Sequence, residues 1–145
     1  MCYTINRERE GNKMENRYHK EVGFDQDHQQ DLIDLIHKFN ATKRYGRTKH
    51  AFHRLHERFD YVSILNYLAN KVEFHYGQVF EYYVKQESNL ISKVCFKIEY
   101  RTSPYETQDL ILVLTRDKDI VTLYINSTGD NHKTLKRGIY TEVVK

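Results

Sequence analysis

Between Thr48 and Phe59 the chain reads Thr-Lys-His-Ala-Phe-His-Arg-Leu-His-Glu-Arg-Phe. Wound as a helix, His53, Arg54, Glu57 and Arg58 all fall within about 80° of His50, at about 100° per residue. Ala51, Phe52, Leu55 and Phe59 take the opposite side. One face is then apolar, and the other carries two imidazoles, two guanidiniums and a carboxylate. Those groups suit phosphoryl chemistry without a metal. Histidine titrates near neutral pH and can take or give a proton, while arginine carries permanent charge in a fork that matches phosphate oxygens. Cleaving RNA needs a base for the 2′-hydroxyl, an acid for the leaving 5′-oxygen and cations for the charge between them. A solvated helix face, with Glu57 paired to Arg54 or His53, is the plainer reading of the same pattern.

The charge around this stretch supports a polyanionic partner. The chain has a net charge of only +3, yet Lys43, Arg44, Arg47, Lys49, Arg54 and Arg58 crowd the segment 41–58 against Glu57 alone. His132, Lys133, Lys136 and Arg137 form a second cluster. Of these, Lys43, Arg44, Arg47, His53, Lys133, Lys136 and Arg137 are the candidate substrate-binding residues, with single-stranded RNA the expected partner. Metal binding fits poorly: His50, His53 and His56 are spaced so that His56 points away, and no Cys/His pair has zinc spacing. P-loop and dinucleotide fingerprints are absent, so no cofactor is implied.

The elements that must position these groups follow from periodicity. The 145 residues suffice for one domain, and 12 Tyr and 7 Phe supply core area to a composition that is 39% hydrophobic. Residues 1–23 lack periodicity and read as a disordered or loosely attached tail; residues 24–145 read as a single α+β domain. A first helix is expected from Asp27 to Phe39, with Leu32, Ile33, Leu35, Ile36 and Phe39 inward and Asn40 as a stop. A second runs from Thr48 to about Phe59. A third, capped by Asp60, should bury Val62, Leu65, Leu68, Ala69 and Val72. The period then changes from 3.6 to 2. Val79–Lys85, Ile91–Arg101, Asp109–Thr115 and Ile120–Asn126 read as antiparallel strands, with Leu112 central and a short last strand at Ile139–Val143. N-terminal helices should therefore pack on a C-terminal antiparallel sheet of about four to five strands. Thr122, Tyr124 and Asn126 share one face of the fourth strand and could line a cleft floor, although ordinary cross-strand packing explains them too.

His50-x3-Arg54-x3-Arg58, followed by a helix and an antiparallel sheet, resembles the small RNases and toxins of the barnase–EndoU–colicin–RelE class. Within that class it looks most similar to phage-encoded endoribonucleases that cleave early transcripts, which have a RelE-like fold. The local match runs from roughly Thr48 to His75. The resemblance implies a metal-independent cut leaving a 2′,3′-cyclic phosphate, with His50, Arg54 and Arg58 at the matching positions. It also implies a second histidine in or just after the next helix. Asn70 stands nearest that place and His75 follows, so His75, Tyr124 or His132 is left to complete the acid–base pair.

Cys2 and Cys95 make no disulfide framework, and no apolar run approaches a membrane span; a cytoplasmic location with no membrane partner is the expectation. The competing function is non-enzymatic: a small phage or mobile-element protein that binds nucleic acid, or a host protein through its sheet and tyrosines.

Overall fold

The computed structural model describes residues 14–42, 44–47, 61–127 and 137–143. Five antiparallel strands form the sheet: β1 (Glu15–His19), β3 (Val79–Lys85), β4 (Leu90–Ser103), β5 (Glu106–Thr115) and β6 (Asp119–Ser127). They lie in the order β1-β3-β4-β5-β6, and a two-residue strand β2 (Gly46–Arg47) runs parallel along the outer side of β6. Helix α1 (Gln29–Ala41) and helix α2 (Tyr61–Asn70), the third of the expected helices, contribute to the hydrophobic core on one face of the sheet. This is the α+β arrangement that the change of period implies.

The strand registers follow from alternation. Val94, Phe96 and Ile98 of β4, Leu110, Leu112 and Leu114 of β5, and Leu123 of β6 all point into the core, and Leu112 is fully buried. The stripe of α1 meets them through Leu32, Leu35, Ile36 and Phe39. Phe39, Phe74 and Phe96 close the centre, with ring centroids 4.8–6.2 Å apart in tilted and edge-on contacts. α1 begins two residues later than expected because Gln26–His28 form a 3-10 turn, capped by the Asp25 carboxylate on the Asp27 N–H. The helix does not stop at Asn40 but runs through it to Ala41, because the Asn40 side chain is engaged elsewhere. That side-chain amide donates to Phe74 O and accepts from Phe74 N, as a strand backbone would.

Three expectations differ from the structure. Residues 15–19, read as tail, form edge strand β1 with Tyr18 buried beside Tyr82. In α2 the most buried positions are Ile64 and Leu68, with Leu65 half-buried. This rotation carries the Tyr67 hydroxyl to Glu99 O at 2.9 Å and its ring against Tyr100. Ile139–Val143 is not a strand: Arg137–Ile139 form a 3-10 turn, and the extended chain beyond makes one backbone bond to β1, Thr141 N to Arg17 O at 2.7 Å. Tyr140 reaches across to the sheet instead. Among the described residues no helix is long and apolar enough to cross a membrane.

Candidate functional site

His50, His53, Arg54 and Arg58, expected on the second helix, lie outside the described residues, as do Lys43, His132, Lys133 and Lys136. What the structure does define is how the chain just ahead of them is held. The β5–β6 turn places Lys118 at φ 70°, a left-handed backbone, with its side chain almost entirely buried. Its ammonium donates to the carbonyl and hydroxyl of Thr42, just beyond the end of α1. That charge satisfies a terminal helix carbonyl and favours the negative end of the helix dipole. Four residues later Gly46 N donates to Lys118 O, and Gly46 and Arg47 pair with Asp119 and Ile120. Gly46 leaves room for the Asp119 carboxylate, which a Cβ at position 46 would push aside. The start of the basic segment is thereby fixed at the β6 edge, with Arg44 exposed beside it.

Arg47 sits in β2, and Arg137 opens the 3-10 turn near β1, at the other edge of the sheet. Tyr124 pairs with Ile111 and belongs to the face opposite the helices. It is four residues along β6 from Ile120, about 13 Å at the rise of a strand. Thr122 shares that face, and Asn126 pairs in register with Asp109. His75 is elsewhere. It follows the buried Phe74 and caps the 3-10 turn Tyr76–Gln78, with His75 N donating to the Gln78 side chain at 2.9 Å. The row Val79, Phe96, Leu112, Leu123 puts three strand spacings, about 14 Å, between the start of β3 and β6. His75 and Tyr124 are not brought together.

The face opposite the helices has its own order. Arg17, Tyr83, Lys93 and Thr115 form one cross-strand row, and His19, Glu81, Cys95, Val113 and Thr122 the next. Every lysine or arginine on this face of β1 and β4 has an acid nearby: Arg17 with Glu81 at 3.1 Å, Lys93 with Glu15 at 4.0 Å, Lys97 with Asp109 at 3.5 Å and Arg101 with Glu99 at 3.7 Å. At the β1 side the row becomes a packed cluster. Glu81, only 6% exposed, accepts from Arg17 and from the Tyr140 hydroxyl at 2.8 Å. The Arg17 guanidinium lies over the rings of Tyr83 (4.8 Å) and Tyr140 (5.4 Å), and His19 packs on Tyr140 at 4.9 Å. Burial opposes the charge of Arg17, but the hydrogen bond to Glu81 and the neighbouring oxygens outweigh it and raise its pKa. Burial, and then the bond to Glu81, pushes Tyr140 up to about 12, so its hydroxyl keeps its proton at neutral pH. Sequence reading missed this cluster. One signal was present: Glu81 is a lone acid inside the apolar strand Val79–Val84.

A cleft of about 650 Å³ opens at the end of the sheet, between Met14, Leu90 and the turns after β3 and β5. Its guanidinium, Arg116, is committed to Asp31, and its Glu15 to Ser92. Among the described residues no group of three or more His, Cys, Asp or Glu is arranged to hold a metal ion.

No family model, curated protein or solved structure matches the chain. Its function must be argued from its own residues.

Proposed function

We propose that this protein is a metal-independent endoribonuclease acting on single-stranded RNA, with His50, Arg54 and Arg58 as its catalytic face. The 2′-oxygen attacks phosphorus as its proton passes to a base. The P–O5′ bond breaks as an acid protonates the leaving oxygen, and a 2′,3′-cyclic phosphate remains. His50 serves as one of the proton-transfer groups, and the two arginines stabilise the charge on the phosphorane-like transition state. The observation that carries this reading is the double tether of the preceding loop. Lys118 on Thr42, and β2 on Asp119–Ile120, anchor the start of the basic run beside β6. A catalytic face needs such rigid support, because misplacement by 1 Å can cost about 10²-fold in rate.

The test uses labelled single-stranded RNA in EDTA, with the products examined for cyclic-phosphate ends. His50→Ala should slow cleavage by roughly 10²–10⁴-fold while the fold is retained. His56→Ala, on the other side of the helix wheel, should leave the rate unchanged. Wild-type rate in His50→Ala, or greater damage from His56→Ala, would remove this helix as the active site.

A second reading, a non-enzymatic binder of a host protein, draws on the paired charges of the sheet face. Along β4 beyond Cys95, Lys97 is matched by Asp109 and Arg101 by Glu99, so that part of the face has little excess field for a polyanion and suits a partner of mixed charge. The absence of both cleavage and retardation of RNA would favour it.

A further inference from the structure

The most densely built polar site among the described residues is the cluster on β1 and β3, and it is occupied by the chain itself. Tyr140 presents a flat ring to His19 and Arg17, and a hydroxyl that donates to the buried carboxylate of Glu81. A ribonucleotide offers the same two features in one unit, a planar ring and a hydroxyl donor, and adds a phosphate. We propose that this cluster is a binding subsite for a nucleotide of single-stranded RNA, and that residues 137–143 form a strap whose Tyr140 fills the subsite until RNA displaces it. The inference rests on the RNA reading above but uses different residues.

Each group has a counterpart. A base would stack where the Tyr140 ring lies, against Arg17 and next to Tyr83; aromatic and guanidinium planes accept any base. The ribose 2′-hydroxyl would donate to Glu81 in place of the phenol. Phosphate would meet Lys93, whose ammonium stands 4.9 Å from the Tyr83 ring centre and holds Glu15 only loosely at 4.0 Å. Arg17 has capacity as well. It binds Glu81 through one terminal nitrogen at 3.1 Å, and its Nε is buried without a hydrogen-bond partner. An arginine so placed can regrip when an anion arrives.

The strap is held lightly enough to leave. Among the described residues it adds no strand to the sheet and makes one backbone bond, at Thr141; the Tyr140 hydroxyl and ring hold it to Glu81, Arg17 and His19, and Val143 packs against the core close to Gly23. Exchange of the phenol for a ribose hydroxyl keeps a donor on Glu81, so the buried carboxylate never loses its partner. DNA has no hydroxyl to offer there. The closed strap therefore acts as a reduction in apparent affinity that is specific to the subsite.

The experiment is fluorescence anisotropy on the full chain with labelled RNA and DNA hexamers of one sequence. Circular dichroism would confirm that each variant is folded. Tyr140→Ala should tighten RNA binding by about tenfold or more, the range expected when a charge-assisted hydrogen bond stops competing, and should tighten DNA binding far less. Adding Glu81→Gln to that variant should erase the difference between RNA and DNA. Unchanged or weaker RNA binding by Tyr140→Ala overturns the proposal. So does an equal gain for RNA and DNA, since Glu81 would then read no 2′-hydroxyl, and so does an absence of RNA binding by all the proteins. Because the readout is binding, the two readings separate: wild-type binding without cleavage removes only the nuclease, while cleavage with no response to Tyr140→Ala removes only the strap.

Discussion

Replacing Asp31 by asparagine should destabilise the fold by about 2–3 kcal/mol, and the loss should fade in acid. Asp31 stands in the first turn of α1 and accepts three hydrogen bonds: Ile91 N at 2.9 Å and the two terminal nitrogens of Arg116 at 2.7 and 3.0 Å. Arg116 also donates to Ile91 O at 2.8 Å, so one ion pair joins α1, the start of β4 and the turn after β5. Asparagine keeps one acceptor oxygen, turns an amide donor toward a guanidinium and gives up the charge. Hydrogen bonds to charged groups contribute about 1.5–3 kcal/mol each, but the Arg116 side chain is 36% exposed, so water compensates part of the loss. For a chain of this size the remainder corresponds to a fall in Tm of roughly 5–10 °C. The pH dependence has a definite sign. Burial alone would raise the Asp31 pKa, but Arg116 and the Ile91 N–H outweigh it and hold it below the ordinary value. Its stabilisation is thus complete above the unfolded pKa of about 3.9 and is lost as pH falls through the lower folded value. Urea unfolding of wild type and variant from pH 7 to pH 3 should show a constant gap down to about pH 5, then a narrowing one. A gap below about 0.5 kcal/mol at pH 7, or one that widens in acid, would refute the argument.

Tyr82→Phe should cost about 1–3 kcal/mol in the same assay, because the buried Tyr82 hydroxyl accepts from Asp25 N and meets His28 Nδ1, both at 3.2 Å. A neutral result would mean that water replaces the hydroxyl. Gly46→Ala should destabilise by about 1–3 kcal/mol, as the new methyl forces the Asp119 carboxylate aside, and RNA cleavage should fall with it. Unchanged stability and activity would show that β2 does not hold the basic loop. If Lys43, Arg44, Arg47, Lys133, Lys136 and Arg137 neutralise phosphates, log affinity for single-stranded RNA should fall with log salt by about 0.7 per contact. A flat dependence measured by anisotropy would exclude a polyanion partner.

The large elements were legible because their burial is one-sided. Val94, Phe96 and Ile98 alternate with Lys93, Lys97 and Glu99, and the stripe of α1 repeats at helical spacing; both patterns state which face turns inward. β1 was not legible. Only Tyr18 among its five residues is buried, while Arg17 and His19 find their partners more than 60 residues away on β3, a distance that a local window does not span. The segment after Ile139 shows the converse. Its alternation fits a strand, yet the Tyr140 hydroxyl donates to Glu81 on β3 and the backbone makes the Thr141 N to Arg17 O bond without forming a ladder. As for the candidate site, the phosphate chemistry read from the residue types around His50 rests on the sequence alone, whereas the clasp of Lys118 on Thr42 depends on a left-handed turn that no spacing rule reveals.

Cys95 gives this fold an internal clock. It is buried on β4, and burial pushes its thiol far above the usual range, so almost no thiolate exists to react while the sheet is closed. With Cys2 changed to serine the chain has no other thiol. Alkylation by a bulky reagent then proceeds only through openings that part β4 from β3 or β5. Its rate relative to an unstructured thiol measures how often the middle of the sheet breathes, without an introduced label.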